Sequence, residues 1–160
     1  MEKLNHNDKK RIQEYIKNKI DISPLLEGKL LKDEDLSHSI IKKLSRTDED
    51  LSGCNLSYSI IGDESNIISF LRCNMTNCNF SNVKFIGRTW MRYCDVKNSN
   101  FKNADVSNVD YRFSDFRNSN FCNSKITIST TSGVGCKFSP QLFEELCKGW
   151  LLDIKATEKE

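Results

Sequence analysis

The chain has 160 residues, 38% of them hydrophobic, with 24 Lys and Arg against 22 Asp and Glu. That length is one domain's worth, the near balance of charge excludes a strongly basic or strongly acidic binder, and no apolar stretch is long enough to cross a membrane. Seven cysteines, an odd count, and the lack of an apolar leader lead us to expect a cytoplasmic protein with reduced thiols.

From residue 8 to about residue 20, Ile12, Tyr15, Ile16 and Ile20 fall at helical spacing behind Asn7, which is placed as the N-cap. An amphipathic helix is predicted. Its polar face is rich in Lys and Arg, and such a face is more often the solvated side of a capping helix than a membrane or nucleic-acid surface. Between residues 22 and 50, Leu25, Leu30, Leu36 and Ile41 are spaced by five or six. Residues 35–41, Asp-Leu-Ser-His-Ser-Ile-Ile, echo residues 55–61, Asn-Leu-Ser-Tyr-Ser-Ile-Ile. The echo places the start of a repeat at residue 34, behind an N-terminal helical and degenerate segment over 1–33. A helical hairpin opened by Pro24 is the competing reading.

Beyond residue 50 bulky apolar residues return every five positions. They run through Leu51, Leu56 and Ile61, pause over residues 62–67, and resume at Phe70, Met75, Phe80 and Phe85. After residue 94 they continue without a miss at Val96, Phe101, Val106, Tyr111, Phe116, Phe121 and Ile126. Neither a helix nor a flat strand has that period, so it marks a repeat architecture. Around each centre the rule is small, polar, bulky, polar, turn-former, as in Ser-Asn-Phe-Lys-Asn and Ser-Asp-Phe-Arg-Asn. The last position holds Asn77, Asn82, Asn98, Asn103, Asn108, Asn118 and Asn123, a residue that tolerates unusual backbone angles at corners.

One step is irregular, because Phe85 and Val96 are eleven apart rather than ten. Either Trp90 or Met91 can be the inward residue between them. With Trp90 central, Arg88 falls in the small inward position and buries a charge. With Met91 central, Thr89 is the small residue and the extra one sits at Gly87-Arg88, where Gly permits a bulge. We take Met91, which turns Trp90 outward as a candidate contact residue.

These units closely resemble those of the pentapeptide-repeat family. The resemblance covers about half the chain and implies an all-β solenoid, a right-handed quadrilateral β-helix with one unit per side, here flanked by N- and C-terminal α-helices. In that register the inner stacks read Phe70, Met91, Tyr111; Met75, Val96, Phe116; Phe80, Phe101, Phe121; and Phe85, Val106, Ile126. Cys54, Cys73, Cys78 and Cys94 fall in the small inward position and are read as core filler. Cys73 and Cys94 are expected to be neighbours on adjacent coils, within reach of a disulfide.

The repeat ends at residue 128, and residues 129–160 are read as a linker and a C-terminal helix opened by Ser139-Pro140. Leu142, Phe143, Leu146 and Trp150 share one face of that helix. A solenoid's last coil exposes apolar side chains and unpaired backbone, so this face is expected to cover it or to form a homodimer.

Little in the sequence supports catalysis. His6 and His38 lie in no nucleophile, metal or acid-base constellation, and the cysteines lack the paired spacing of a zinc site. No cofactor is expected. Asp95, Asp105, Asp110 and Asp115 occupy a position that the resemblance makes structural. We therefore expect a non-catalytic structural or protein-interaction module with a protein partner. Relatives that mimic DNA and modulate gyrase or topoisomerase depend on a strongly negative surface, whereas residues 54–128 carry nine Lys and Arg against six Asp and Glu. Weak anion or nucleic-acid binding by a basic face is a further alternative. The candidate surface contacts are Trp90, Arg92, Lys97, Arg112 and Arg117, and the candidate cap or dimer face is Leu142, Phe143, Leu146 and Trp150.

Overall fold

The computed structural model describes residues 1–127 and 134–140. The chain opens with strand β1 (Glu2–Lys3) and helix α1 (His6–Lys17). The helix is capped by Asn5, not Asn7. The Asn5 side chain accepts from the Asp8 backbone N–H at 2.9 Å, and the Asp8 carboxylate accepts from the Asn5 N–H at 3.1 Å. This reciprocal box satisfies two donors that a helix start leaves free. Ile12 is buried against the solenoid, with Tyr15 and Ile16 packed beside it. Ion pairs from Lys9 to Glu34 at 2.7 Å and from Lys29 to Asp8 at 2.8 Å tie the helix down. A short helix α2 (Ser23–Leu26) follows with Pro24 in its first turn, and β2 (Lys29–Leu30) then pairs in parallel with β1.

The remaining strands are short: β3 (Ile40–Ile41), β4 (Ser45–Thr47), β5 (Ile60–Ile61), β6 (Ile68–Leu71), β7 (Lys84–Phe85), β8 (Thr89–Arg92), β9 (Asp105–Val106), β10 (Val109–Asp110) and β11 (Lys125–Ile126). They form two parallel ladders, β4-β6-β8-β10 and β3-β5-β7-β9-β11. Single bridges build two more. One runs Asp50, Asn74, Asp95, Asp115, Lys137, and the other Asp35, Asn55, Asn79, Asn100, Asn120. The molecule is a parallel β-solenoid of about four turns, in which each coil satisfies the backbone of the next.

Because every ladder pairs a residue with its equivalent one coil on, the central side chains stack inside. Phe80, Phe101 and Phe121 form a continuous column, with ring centroids 4.8 and 4.7 Å apart. Met91 is the inward residue of the irregular unit, and Trp90 faces out. The repeat also begins earlier than residue 34. Leu26, Leu31, Leu36 and Ile41 are all buried, the Asp33 N–H bonds to the Ser52 carbonyl, and Asp21 bridges Ile40. Leu25 and Leu30 are only partly buried, so the inward register runs through their neighbours. The next central slot belongs to Arg46, 4% exposed, whose Nη2 donates to the Leu26 carbonyl at 2.6 Å and whose Nη1 lies 3.2 Å from Glu49. The buried cation is paired and hydrogen-bonded through its two Nη atoms, while its Nε has no partner.

Both irregularities fall where β5 leads to β6 and β7 leads to β8, and they nest against each other. A Cβ on Gly62 would lie 2.2 Å from the Ile86 carbonyl oxygen, and one on Gly87 would lie 2.1 Å from that of Asp63. At the regular corners Asn77, Asn82, Asn98, Asn103, Asn118 and Asn123 take positive φ, as expected of Asn. Asn108 does not share it, because it lies at the irregular corner, between β9 and β10.

Candidate interaction surface

Within a unit, the residues just before and just after the centre point out of the same side of the solenoid. An Asp before the centre and a Lys or Arg after it therefore meet, as they do in the units centred on Val96, Tyr111 and Phe116. Lys97 Nζ lies 2.9 Å from Asp95, and Arg117 holds Asp115 with Nε at 2.9 Å and Nη2 at 2.6 Å. Each of these carboxylates also accepts from the backbone N–H two residues on, at 3.3 Å for Lys97 and 3.2 Å for Arg117. The Asp position is thus a turn-forming one. Arg117 and the Asp115 turn together hold the Asp115 carboxyl below the usual range.

The adjoining side is different. Asp110 receives two guanidiniums: Arg112 from its own unit, with Nε at 3.0 Å, and Arg92 from the previous coil, with Nε at 2.8 Å. Burial alone would raise the Asp110 pKa, but the hydrogen bonds from Arg112 and Arg92 outweigh it and the carboxyl ends below its ordinary value. The Arg92 guanidinium also lies over the Trp90 ring, 4.3 Å from its centroid. Trp90 is half-buried, between Ser69 of the coil before and Asp110 of the coil after.

Of the residues singled out from the sequence, the structure brings Trp90, Arg92 and Arg112 together around Asp110 on one side. Lys97 and Arg117 lie on the next. Leu142, Phe143, Leu146 and Trp150 lie outside the described residues. Sequence reasoning missed the corner between these two sides. Tyr93 and Phe113 stand there one coil apart, both exposed and stacked at 4.8 Å with planes 13° apart. His38 and Tyr58 stack in the same way at another corner, at 4.9 Å. The signal was available: both pairs sit two residues after a centre and twenty apart, which is one regular coil.

Among the described residues, no group of three His, Cys, Asp or Glu is placed to hold a metal ion, and no helix is long and apolar enough to cross a membrane. The described cysteines are free thiols, Cys73 and Cys94 included. Burial pushes the Cys78 thiol up to about 12.

No protein-family model matches the chain, and no curated protein matches it. Among solved structures, a pentapeptide repeat protein from the Arabidopsis thaliana thylakoid lumen aligns over 79% of this chain and 79% of its own, at 19% identity and a TM-score of 0.34. Rfr23, a pentapeptide repeat protein from the cyanobacterium Cyanothece 51142, covers 68% of this chain and 86% of its own, at 10% identity and a TM-score of 0.28. QnrB1, a plasmid-mediated fluoroquinolone resistance protein, covers 76% and 83%, at 11% identity and a TM-score of 0.22. At such values function has to be argued from this chain's own surface.

Proposed function

We propose that this chain, a parallel β-solenoid consistent with the pentapeptide-repeat family in its five-residue register, is a non-catalytic module that binds a protein partner through its lateral sides. The observation that carries this reading is the pairing of outward charge. Asp95, Asp105, Asp110 and Asp115 each lie within ion-pair distance of a Lys or Arg. A surface that imitates DNA needs rows of uncompensated negative charge, and one that binds nucleic acid needs cations free to replace counterions. Carboxylates neutralised in place do not suit the first, and Arg72, Lys97, Arg117 and Lys125 are held by carboxylates rather than free for the second, whereas a rigid, mixed surface with exposed aromatics suits a protein.

The same reading gives the solenoid a right-handed winding and a four-sided cross-section, as its repeat register implies. It places the chain in the cytoplasm, supported by thiols that serve as packing residues. The test is site-specific photo-crosslinking in cells of the source organism, with the reactive group at outward positions 71, 90, 93 and 112 in turn. Discrete protein adducts are expected. Adducts to nucleic acid alone, or none at any lateral position, would overturn the reading.

A further inference from the structure

We propose that the stacked rings of Tyr93 and Phe113, with the Arg92, Asp110 and Arg112 cluster beside them, form a docking ridge for an acidic protein segment whose carboxylates alternate with apolar residues. This rests on the protein-interaction reading and narrows it to one corner and one partner chemistry.

The backbone is strained at both rings. Tyr93 and Phe113 sit at φ values of 58° and 61°, where the Cβ of a bulky residue crowds its own backbone. At the next corner of the same coils the equivalent slot is held by Asn98 and Asn118, which adopt that conformation readily. Both rings are also exposed, 54% for Tyr93 and 47% for Phe113. The fold thus bears strain and exposed apolar area at positions where Asn would serve it better, and stacking offsets only part of that. The same φ recurs at other corners, Arg72 at 53° and Tyr58 at 59° among them, so what sets this corner apart is the guanidinium cluster beside its exposed rings.

The chemistry of the ridge selects the partner. The two rings cover each other's facing sides, and Phe113 also lies against Gly135, where a Cβ would come within 2.4 Å of its Cδ1. Nucleobases need a free ring face to stack on. Phe113 therefore offers its edge, and the edge of an aromatic quadrupole is its positive part, suited to carboxylate and carbonyl oxygens. Beside the rings two guanidiniums share the single Asp110 carboxylate, leaving a surplus positive charge there. Trp90, lying under Arg92, adds apolar area to the same side. A positive ring edge, surplus guanidinium and apolar surface together fit a segment that is both acidic and apolar.

The test is fluorescence anisotropy at low salt, titrating the full chain into a labelled peptide of alternating Glu and Leu. Saturable binding is expected. It should weaken by at least about tenfold in the Tyr93→Asn/Phe113→Asn double variant, as for loss of an interface anchor. Asn suits positive φ, so this variant keeps its fold and its melting temperature does not fall. Tyr58→Asn relieves the same kind of strain at a different corner and should leave binding unchanged. Absence of saturable binding by the wild-type chain, or equal affinity in the double variant, would overturn the ridge. So would ring-dependent binding of a thymidine oligonucleotide in place of the peptide. Protein crosslinks at position 71 without any at 90, 93 or 112 would leave the proposed function standing while this inference fails.

Discussion

In the small inward slot, Cys78 and Cys94 place their sulfurs 3.1 and 3.3 Å from the carbonyl oxygens of Leu51 and Phe70. Ser99 and Ser114 place hydroxyls on the carbonyls of Met75 and Met91 in the same manner, at 2.9 and 2.6 Å. Thiol and hydroxyl are alternative fillers that donate to the previous coil, which is why these cysteines pack rather than react. Thr89 breaks the rule, since its buried Oγ1 has no partner. Its equivalent in the next coil is Val109. Thr89→Val should therefore stabilise the protein by about 1 kcal/mol, because an unsatisfied hydroxyl costs more than the methyl that replaces it. Urea denaturation measures this, and a loss of stability would show that the hydroxyl is bonded. The Phe column makes the opposite kind of prediction. Phe101 has Phe80 and Phe121 on its two faces and Phe116 at its edge. Phe101→Ala leaves a cavity that stacked coils cannot close and should cost about 3 to 5 kcal/mol by the same measurement. A cost under about 1 kcal/mol would contradict its central burial.

At the scale of the coil, the elements are held by corners as much as by strands. Asp48, Asp50, Asp105, Asp110 and Asp115 all have carboxyls held below their ordinary range, Asp50 at about 2 through Ser52 and Lys32. A lowered folded-state pKa stabilises the fold above the unfolded value of about 4, and that stability is lost as pH falls below it. None of these carboxyls is fully buried, so water screens each effect and keeps it small. The melting temperature should be flat between about pH 7 and pH 5 and should fall below about pH 4. An unchanged melting temperature at about pH 3 would show that these pairs are only superficial. The coil is also where sequence reading was most and least successful. From residue 94 to Ile126 the five-residue period left no freedom, and the inner columns followed from it. Upstream, Arg46 in a central slot removed the apolar signal, and the doublets Leu25-Leu26 and Leu30-Leu31 offered two registers. Only Leu26 and Leu31 keep the step of five to Leu36 and then through Ile41 and Arg46 to Leu51. The helix start was misplaced for a related reason. Asn5 and Asn7 are both capping residues, and only Asn5 has Asp8 three positions on to return its hydrogen bond.

For the whole molecule, the surface separates into positions that the repeat requires and positions it does not. The Asp side chains were legible as structural, because their place in the unit fixes them at a turn. The pairing of Arg92 with Asp110 was not, because it crosses from one coil to the next and depends on which residue of the irregular unit faces inward. The corner aromatics were hidden by their neighbours, since a two-residue offset from the centre usually carries Asn here. The functional consequence is electrostatic: from Asp95 to Asp115 the repeat carries its Asp carboxylates already bound to Lys and Arg. The most direct test is a DNA gyrase supercoiling assay with the purified chain, run alongside an acidic DNA-mimicking pentapeptide repeat protein. No inhibition is predicted at concentrations where the mimic stops supercoiling, and dose-dependent inhibition by this chain would contradict the account.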